Sequence, residues 1–470
     1  MVTIQHSTIH KKVACGVEQA KSVSRSVIVS TSTKVDYAID PVAFYRQGEN
    51  RIGERFFWAA PNGDFVMVGV GSAHTLVSNS DNCFKQFEKD WQELLNYSTA
   101  DQIEEPGVGP VLFGAFSFDP KKEKTNLWRN FPIAKMVLPQ HVLTITKDEC
   151  WLTVNMMVDQ NTNAEHLADA ILKEQQNLLQ NLTKPTYNPS HRELTIEELD
   201  KDEWIASVDK VAGQIRSSEI EKVVLAREIR VKSDRPFITE EILDRLLTEQ
   251  PISYIFALEG GEDCFMGASP ERLVKKQGKE AFSTCLAGSI GRGSTPEEDY
   301  KLGNELLNDA KNLHEHEVVV RAITSAFEQG CERISVPEKP ILYKIRDIQH
   351  LYTPVVGEVK KNVSLLTLVE KLHPTPALGG HPKEEALQKI RTIERLDRGL
   401  YAGPIGWLDS KGNGEFAVAI RSALVQGKEA SLFAGCGIVG DSDPASEYKE
   451  TQMKFRPMLS ALGGFSHEFK

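Results

Sequence analysis

The run Ala434-Gly435-Cys436-Gly437-Ile438-Val439-Gly440 is followed closely by Asp443 and Pro444, and this junction constrains the chain more than any other stretch. Asp443 reads as an N-cap and Pro444 as the first helical residue, so a helix opens just after the glycines. Glu447, Glu450 and Lys454 then fall at i, i+3 and i+7 on one face of that helix. Two carboxylates and one ammonium beside unpaired backbone N–H groups and a positive helix end make a site for a divalent cation together with an anionic ligand. On local grounds alone such spacing is usually a solvated face. What gives it weight lies upstream.

The bulk composition narrows the function classes. With 40% hydrophobic and 26% charged residues in 470, the chain has the make-up of a globular protein with a large core. A formal charge of -11 argues against a nucleic-acid or anionic-membrane surface and points to a small ligand in a local basic pocket. Seven scattered cysteines without a CxxC pair fit a reducing cytoplasm better than a disulfide scaffold or a zinc site. Met1 to Cys15 is polar and basic, without the apolar centre of a signal peptide, and no stretch approaches the ~18 apolar residues of a membrane span.

From Ser24 to about Val158 the pattern predicts strands with turn punctuation: Val27 to Val35, Arg55 to Ala60, Phe65 to Val70, Val111 to Phe118, Val142 to Thr146 and Trp151 to Val158. Phe84, Phe87, Trp91 and Leu94 or Leu95 recur at helical spacing, and a second helix spans about Ala164 to Leu182. Thr183 to Ser190 is the best linker candidate, dividing a strand-rich part, 1–190, from a part carrying the chemistry, 191–470. Beyond it come a helix through Trp204, Val208, Val211 and Ile215, then strands at Lys222 to Val231 and Ile252 to Leu258. A long helix from the capping box Thr295-Pro296-Glu297-Glu298 to about Gln329 follows, with strands at Gly403 to Leu408, Glu415 to Val425 and Ser431 to Phe433. The fold class is mixed α/β (α+β).

Several residues in the second part could do chemistry. Alternation puts Lys222 on one face with Val224 and Ala226, an ammonium aimed where apolar neighbours point. It either snorkels to water or, if enclosed, loses its charge readily enough to act as a general base. Glu271 follows Ser269-Pro270, a turn that brings its carboxylate to a cavity wall or pairs it with Arg272 or a nearby lysine. His314-Glu315-His316-Glu317 lacks the HExxH spacing of a zinc protease, because the two histidines diverge on a helix. Arg421 shares a predicted strand face with Ala417 and Ala419, as a carboxylate clamp in a cavity wall would. Ala287-Gly288-Ser289 and Gly435-Cys436-Gly437 add backbone donors able to approach a ligand closely.

Together these stretches resemble the chorismate-utilising enzyme family. The resemblance runs densely from about Ile196 to Leu462. It rests on KVVLAR at 222 to 227, SPERL at 269 to 273, LAGS at 286 to 289, EHEVVV at 315 to 320, HPTPALGG at 373 to 380, DRGLYAGPIGW at 397 to 407, IRSA at 420 to 423, AGCGIV at 434 to 439 and EYKET at 447 to 451. It implies the fold of anthranilate synthase component I: two large antiparallel sheets packed together with helices outside, both parts of the chain building one domain. Members that aminate their substrate carry glutamine where this chain has Lys222, and aminodeoxychorismate synthases often carry a lysine where it has Ala287. The chain is therefore similar to isochorismate synthases, and its long first part to the menaquinone-specific form, with no glutamine amidotransferase partner expected.

The resemblance also implies roles. Lys222 would be the base that activates water and Glu271 the acid that protonates the leaving hydroxyl. Mg2+ would be held by Glu315 and Glu450, with Glu447 and Asn312 acting through water. Arg421, Lys454, Gly288, Gly435 and Gly437 would bind the substrate carboxylates, with Ser289, His350, Leu378 and Tyr401 completing the pocket for chorismate. The reaction being reversible, its direction would depend on a following enzyme that consumes isochorismate. The rivals are a salicylate synthase, which goes on to eliminate pyruvate, an isochorismate synthase of catechol siderophore biosynthesis, and a non-catalytic metabolite-binding protein on the same fold.

Overall fold

The computed structural model describes residues 6–36, 38–180, 182–183 and 192–464. Among these, the strands join through antiparallel pairings into one hydrogen-bonded network. One arm runs from Leu194–Glu198 through Lys222–Ser233, Glu429–Ile438, Ser422–Gln426, Asp263–Ser269, Tyr254–Gly260 and Arg55–Ala59 to Phe65–Ser78. The other runs from Ala134–Thr146 through Val111–Phe116, Pro404–Asp409, Gly414–Val418, Arg272–Gln277 and Glu280–Gly291 to Ile348–Val359. The long neighbouring strands Phe65–Ser78 and Ala134–Thr146 join them, so the two sheets implied by the resemblance are arms of one continuous network.

Period-two alternation decides what each face buries. Phe56 and Trp58 point into the core between the arms, where Phe56 stacks on Phe113 of the second arm with ring centres 4.1 Å apart. Phe57 and Ala59 point the other way, into a core roofed by the helices Pro41–Gln47, Thr239–Glu249 and Pro444–Ala461. Strands of both chain parts are interleaved: Phe57 pairs with Ala257, and Ile405 with Ala115.

The structure departs from the sequence reading in ways that matter for the site. The helix predicted from Thr295 to about Gln329 is two helices, Pro296–Asn308 and Ala310–Gly330. Asp309 breaks it by turning its side chain onto the N–H of Asn312 at 2.8 Å, an N-cap in place of a helical turn. The strand predicted from Glu415 to Val425 is also two, because Gly414–Val418 belongs to one arm and Ser422–Gln426 to the other. Ala419 to Arg421 is the corner between them. Asp263–Ser269 and Arg272–Gln277 divide in the same way, with Pro270 and Glu271 as their corner. The glycine run is the end of the strand Glu429–Ile438, longer than the Ser431 to Phe433 predicted. The helix placed at about Ala164 to Leu182 stops at Leu178. Helices at His6–Val23, Pro41–Gln47, Thr239–Glu249, Leu365–Leu372 and Lys383–Ile393 were not foreseen. The linker candidate, Thr183 aside, lies outside the described residues.

Candidate active site

The two corners lie side by side. The N–H of Ala268 donates to the carbonyl of Arg421 at 3.1 Å, and the N–H of Val418 to the carbonyl of Glu271 at 3.1 Å. Arg421 adopts a left-handed backbone, φ 51°, which a non-glycine residue takes up only at a cost. The turn takes the chain from one arm to the other while Arg421 faces a cavity between them. That cavity holds about 930 Å³, counting its opening to solvent. Lys222, Gly435 and Gly437 reach it from the first arm, and Gly288, Ser289 and His350 from the second. Glu315 and Asn312 come from the helix Ala310–Gly330, and Glu447, Glu450 and Lys454 from the helix Pro444–Ala461. Leu378 and Tyr401 close it from two connections. Every site residue implied by the resemblance therefore lines one cavity.

Local rules explain the placement. The Asp443 side chain accepts from the N–H of Ser446 at 2.8 Å, with Pro444 opening the helix as predicted. Beyond Phe433 the glycine-rich strand keeps a ladder only with Lys222–Ser233, leaving its other edge to the cavity. Lys454 uses that edge, donating to the carbonyl of Gly435 at 2.8 Å. Gly437 has no room for a side chain: a Cβ there would lie 2.4 Å from Cε of Lys222 and 2.9 Å from Oε1 of Glu315. Gly288, at φ +77°, sits where the ladder to Ile348–Val359 slips by a residue, and the slip brings Ser289 opposite His350.

The charges are arranged in pairs. Lys222 does not snorkel; it is 2% exposed and held by Glu315 at 2.7 Å. Glu450 holds Lys454 at 2.6 Å, and Glu447 lies 3.5 Å from Lys311. Burial works against the charge on Glu315, but Lys222, Lys454 and Lys311 pull its carboxyl below the usual range. Burial likewise opposes the ammonium of Lys454, yet Glu450 keeps its pKa above the ordinary lysine value. Glu447 is pushed up, first by burial and then by the negative Glu450 beside it.

Glu271 is different. Its carboxyl makes no hydrogen bond or ion pair among the described residues, and burial raises its pKa to about 8 against the pull of Lys222, Lys454 and Arg421. At neutral pH it carries a proton. His350 is kept neutral by burial and by Arg421 and Lys454. One ring nitrogen meets the Ser289 hydroxyl at 2.8 Å, while Nε2 is buried without a partner. Burial raises the Tyr401 phenol to about 12, leaving it a neutral donor. His316 is structural, bonded to the Ala287 carbonyl and the Thr353 hydroxyl.

Among the described residues no three His, Cys, Asp or Glu side chains gather as a ready-made metal cage. The donor set still suits Mg2+, which takes carboxylate oxygens and keeps several waters. Glu315, Glu447 and Glu450 line the cavity and offer such oxygens. Sequence reasoning missed Lys311 and Arg398, which also line the cavity. Lys311 was within reach, since it precedes Glu315 by one helical turn. Arg398 gave no local signal beyond its place in DRGLYAGPIGW.

The sequence profile of a family described as "Chorismate binding enzyme" matches residues 15–463, and the chain belongs to that family. It is 43% identical over 473 residues to isochorismate synthase MenF of Bacillus subtilis, covering 99% of each chain. To the salicylate biosynthesis isochorismate synthase of Pseudomonas aeruginosa it is 36% identical over 457 residues, 95% of this chain and 93% of the other. The solved structure of the menaquinone-specific isochorismate synthase MenF from Escherichia coli superposes with a TM-score of 0.77. It covers 96% of this chain and 100% of that one at 23% identity, a likeness of fold.

Proposed function

We infer that the chain is an isochorismate synthase that converts chorismate to isochorismate for menaquinone biosynthesis. The observation that carries this reading is the buried Glu271, its pKa raised to about 8, in one cavity with Lys222, in a chain 43% identical to an isochorismate synthase over its length. An acid already holding its proton at neutral pH suits the departure of a hydroxyl.

Lys222 takes a proton from water as the water oxygen bonds to C2, both ring double bonds shift by one position, and the C4–O bond breaks as Glu271 gives its proton to the leaving hydroxyl. Water enters and water leaves, so the reaction is an isomerisation. To act as base, Lys222 must give up its ion pair with Glu315. Glu315 and Glu450, with Glu447 and Asn312 beside them, would hold Mg2+, which would supply a positive charge for the ring carboxylate. Arg421 and Lys454 answer the substrate's negative charge, and Gly288, Gly435 and Gly437 let its oxygens approach the backbone. Ser289, through His350, and Tyr401 present neutral polar groups, and Leu378 gives an apolar contact. No amidotransferase subunit is needed, because water is the nucleophile.

No helix among the described residues is long and apolar enough to cross a membrane, and all seven cysteines are free, as a reducing cytoplasm would keep them. Purified protein given chorismate and Mg2+ should yield isochorismate, and a chelator should stop it. Pyruvate and salicylate released as fast as chorismate disappears would move the chain to the salicylate synthases.

A further inference from the structure

Two buried residues outside the roles above, Glu394 and Arg398, form an ion pair at 2.5 Å at the back of the cavity wall. The guanidinium gives Nε and Nη2 to the Glu394 carboxylate, Nη1 to the carbonyl of Leu378 at 3.0 Å and Nη2 to the carbonyl of Val224 at 2.8 Å. It lies 4.1 Å from the ring centre of Phe118. Glu394 in turn accepts the N–H of Ala226 at 2.7 Å, and the carbonyl of Arg398 accepts the N–H of Tyr401 at 2.8 Å.

These bonds fall where a strand is missing. Along one edge, Lys222–Ser233 is paired with Gly380–His381 at Lys222 and Val223, and with Leu194–Glu198 from Ile229 onward. Between them no described strand covers the edge, and buried peptide groups there need other partners. The ion pair supplies them at Val224 and Ala226, next along the strand from Lys222. We propose that Glu394 and Arg398 are positioning residues, which fix the base-bearing strand against the Leu378 and Tyr401 walls without binding substrate. Since Arg398 also lines the cavity, the alternative is a further cation for the substrate carboxylates. Against that, four of its N–H donors are committed and its charge is matched by a bidentate carboxylate.

The proposal rests on the isochorismate synthase reading for its kinetic test, and a second measurement needs no substrate. Arg398→Lys and Glu394→Gln should each lower kcat by about tenfold or more, because a small misplacement of a reacting group is costly. KM for chorismate should stay within about threefold. The double variant should be no slower than the slower single, as expected for one unit. Guanidinium added to Arg398→Ala should restore part of kcat without changing KM. Amide hydrogen exchange at Ala226 should accelerate in Glu394→Gln. A rise in KM with kcat kept, losses that multiply in the double variant, or no rescue by guanidinium would overturn the proposal. Should Arg398→Lys fail to fold, Glu394→Gln and Glu394→Asp decide it by the same kcat and exchange criteria. If the wild type leaves chorismate unchanged, the functional reading fails, and unchanged Ala226 protection in Glu394→Gln overturns the positioning role by itself.

Discussion

Two of the places where this molecule buries ionisable groups leave them in different states. Near the strand Arg55–Ala59, Arg55 gives Nε and Nη2 to Glu259 and Nη1 to Glu240 and the Tyr45 carbonyl. Glu259 is further bonded by the Tyr45 hydroxyl and the N–H of Gly53. Every group there is answered, as buried charge in a scaffold must be. In the cavity between the arms, Glu271 is just as deeply buried but lacks a hydrogen-bonded partner, and His350 keeps a bare Nε2. Stability calls for closed polar networks; chemistry calls for groups held ready for a molecule that is still to arrive.

The sharpest way to break that contrast is to swap the roles. Glu271→Gln should lower turnover by about 10²- to 10⁴-fold while the protein stays folded, measured as isochorismate formed per enzyme. Glu259→Ala should do the reverse, costing about 3–5 kcal/mol in denaturant unfolding because Arg55 loses its main partner, with kcat of the folded fraction unchanged. If Glu259→Ala slowed catalysis as much as Glu271→Gln, the division would be wrong.

A finer test uses pH. With its folded pKa raised to about 8, Glu271 loses its catalytic proton above that value, so kcat/KM should fall by about tenfold per pH unit on the alkaline side. The same shift has a sign in stability. The folded state holds this proton where the unfolded chain has released it, so the group's contribution is full below its unfolded pKa near 4.5 and is lost as pH rises through about 8. Glu271→Gln should therefore gain thermal stability over the wild type as pH climbs from about 5 to about 8. A constant difference across that window would rule out a buried proton. The smallest effect is expected at Asp443→Ala, which removes the cap of the helix carrying Glu447 and Glu450: about 1 kcal/mol, read in unfolding, with a modest rise in the Mg2+ needed for half-maximal rate.

How far the sequence could be read depended on whether a feature was local. The Asp443 cap, the Glu447, Glu450 and Lys454 face and the Thr295 N-cap rest on neighbours within a helical turn, and they stand in the structure as read, although the Glu298 side chain of the expected capping box accepts from the N–H of Ser294 and not from that of Thr295. Arg421 was placed in the right cavity for a wrong local reason. Alternation through Glu415 to Val425 looked like one strand because both halves are buried, and nothing in the residues marks a change of partner at Ala419. The ion pair of Lys222 with Glu315 was invisible for the same reason: the two lie far apart in the chain, and alternation reports a face but not who stands opposite. Individual residues gave only ambiguous signs of the site; it took the ordered set of stretches resembling one family to gather them.

The paired corners have a consequence for anyone who would cut or rearrange this chain. Glu271 and Arg421 belong to segments far apart in sequence, yet the backbone on each side of one corner is bonded to the other. A break in the intervening chain would put the acid on one fragment and the clamp on the other. Acid and clamp can face each other only where both segments are present, and a chain ending at 421 would still lack Gly435, Gly437, Glu447, Glu450 and Lys454 of the same cavity.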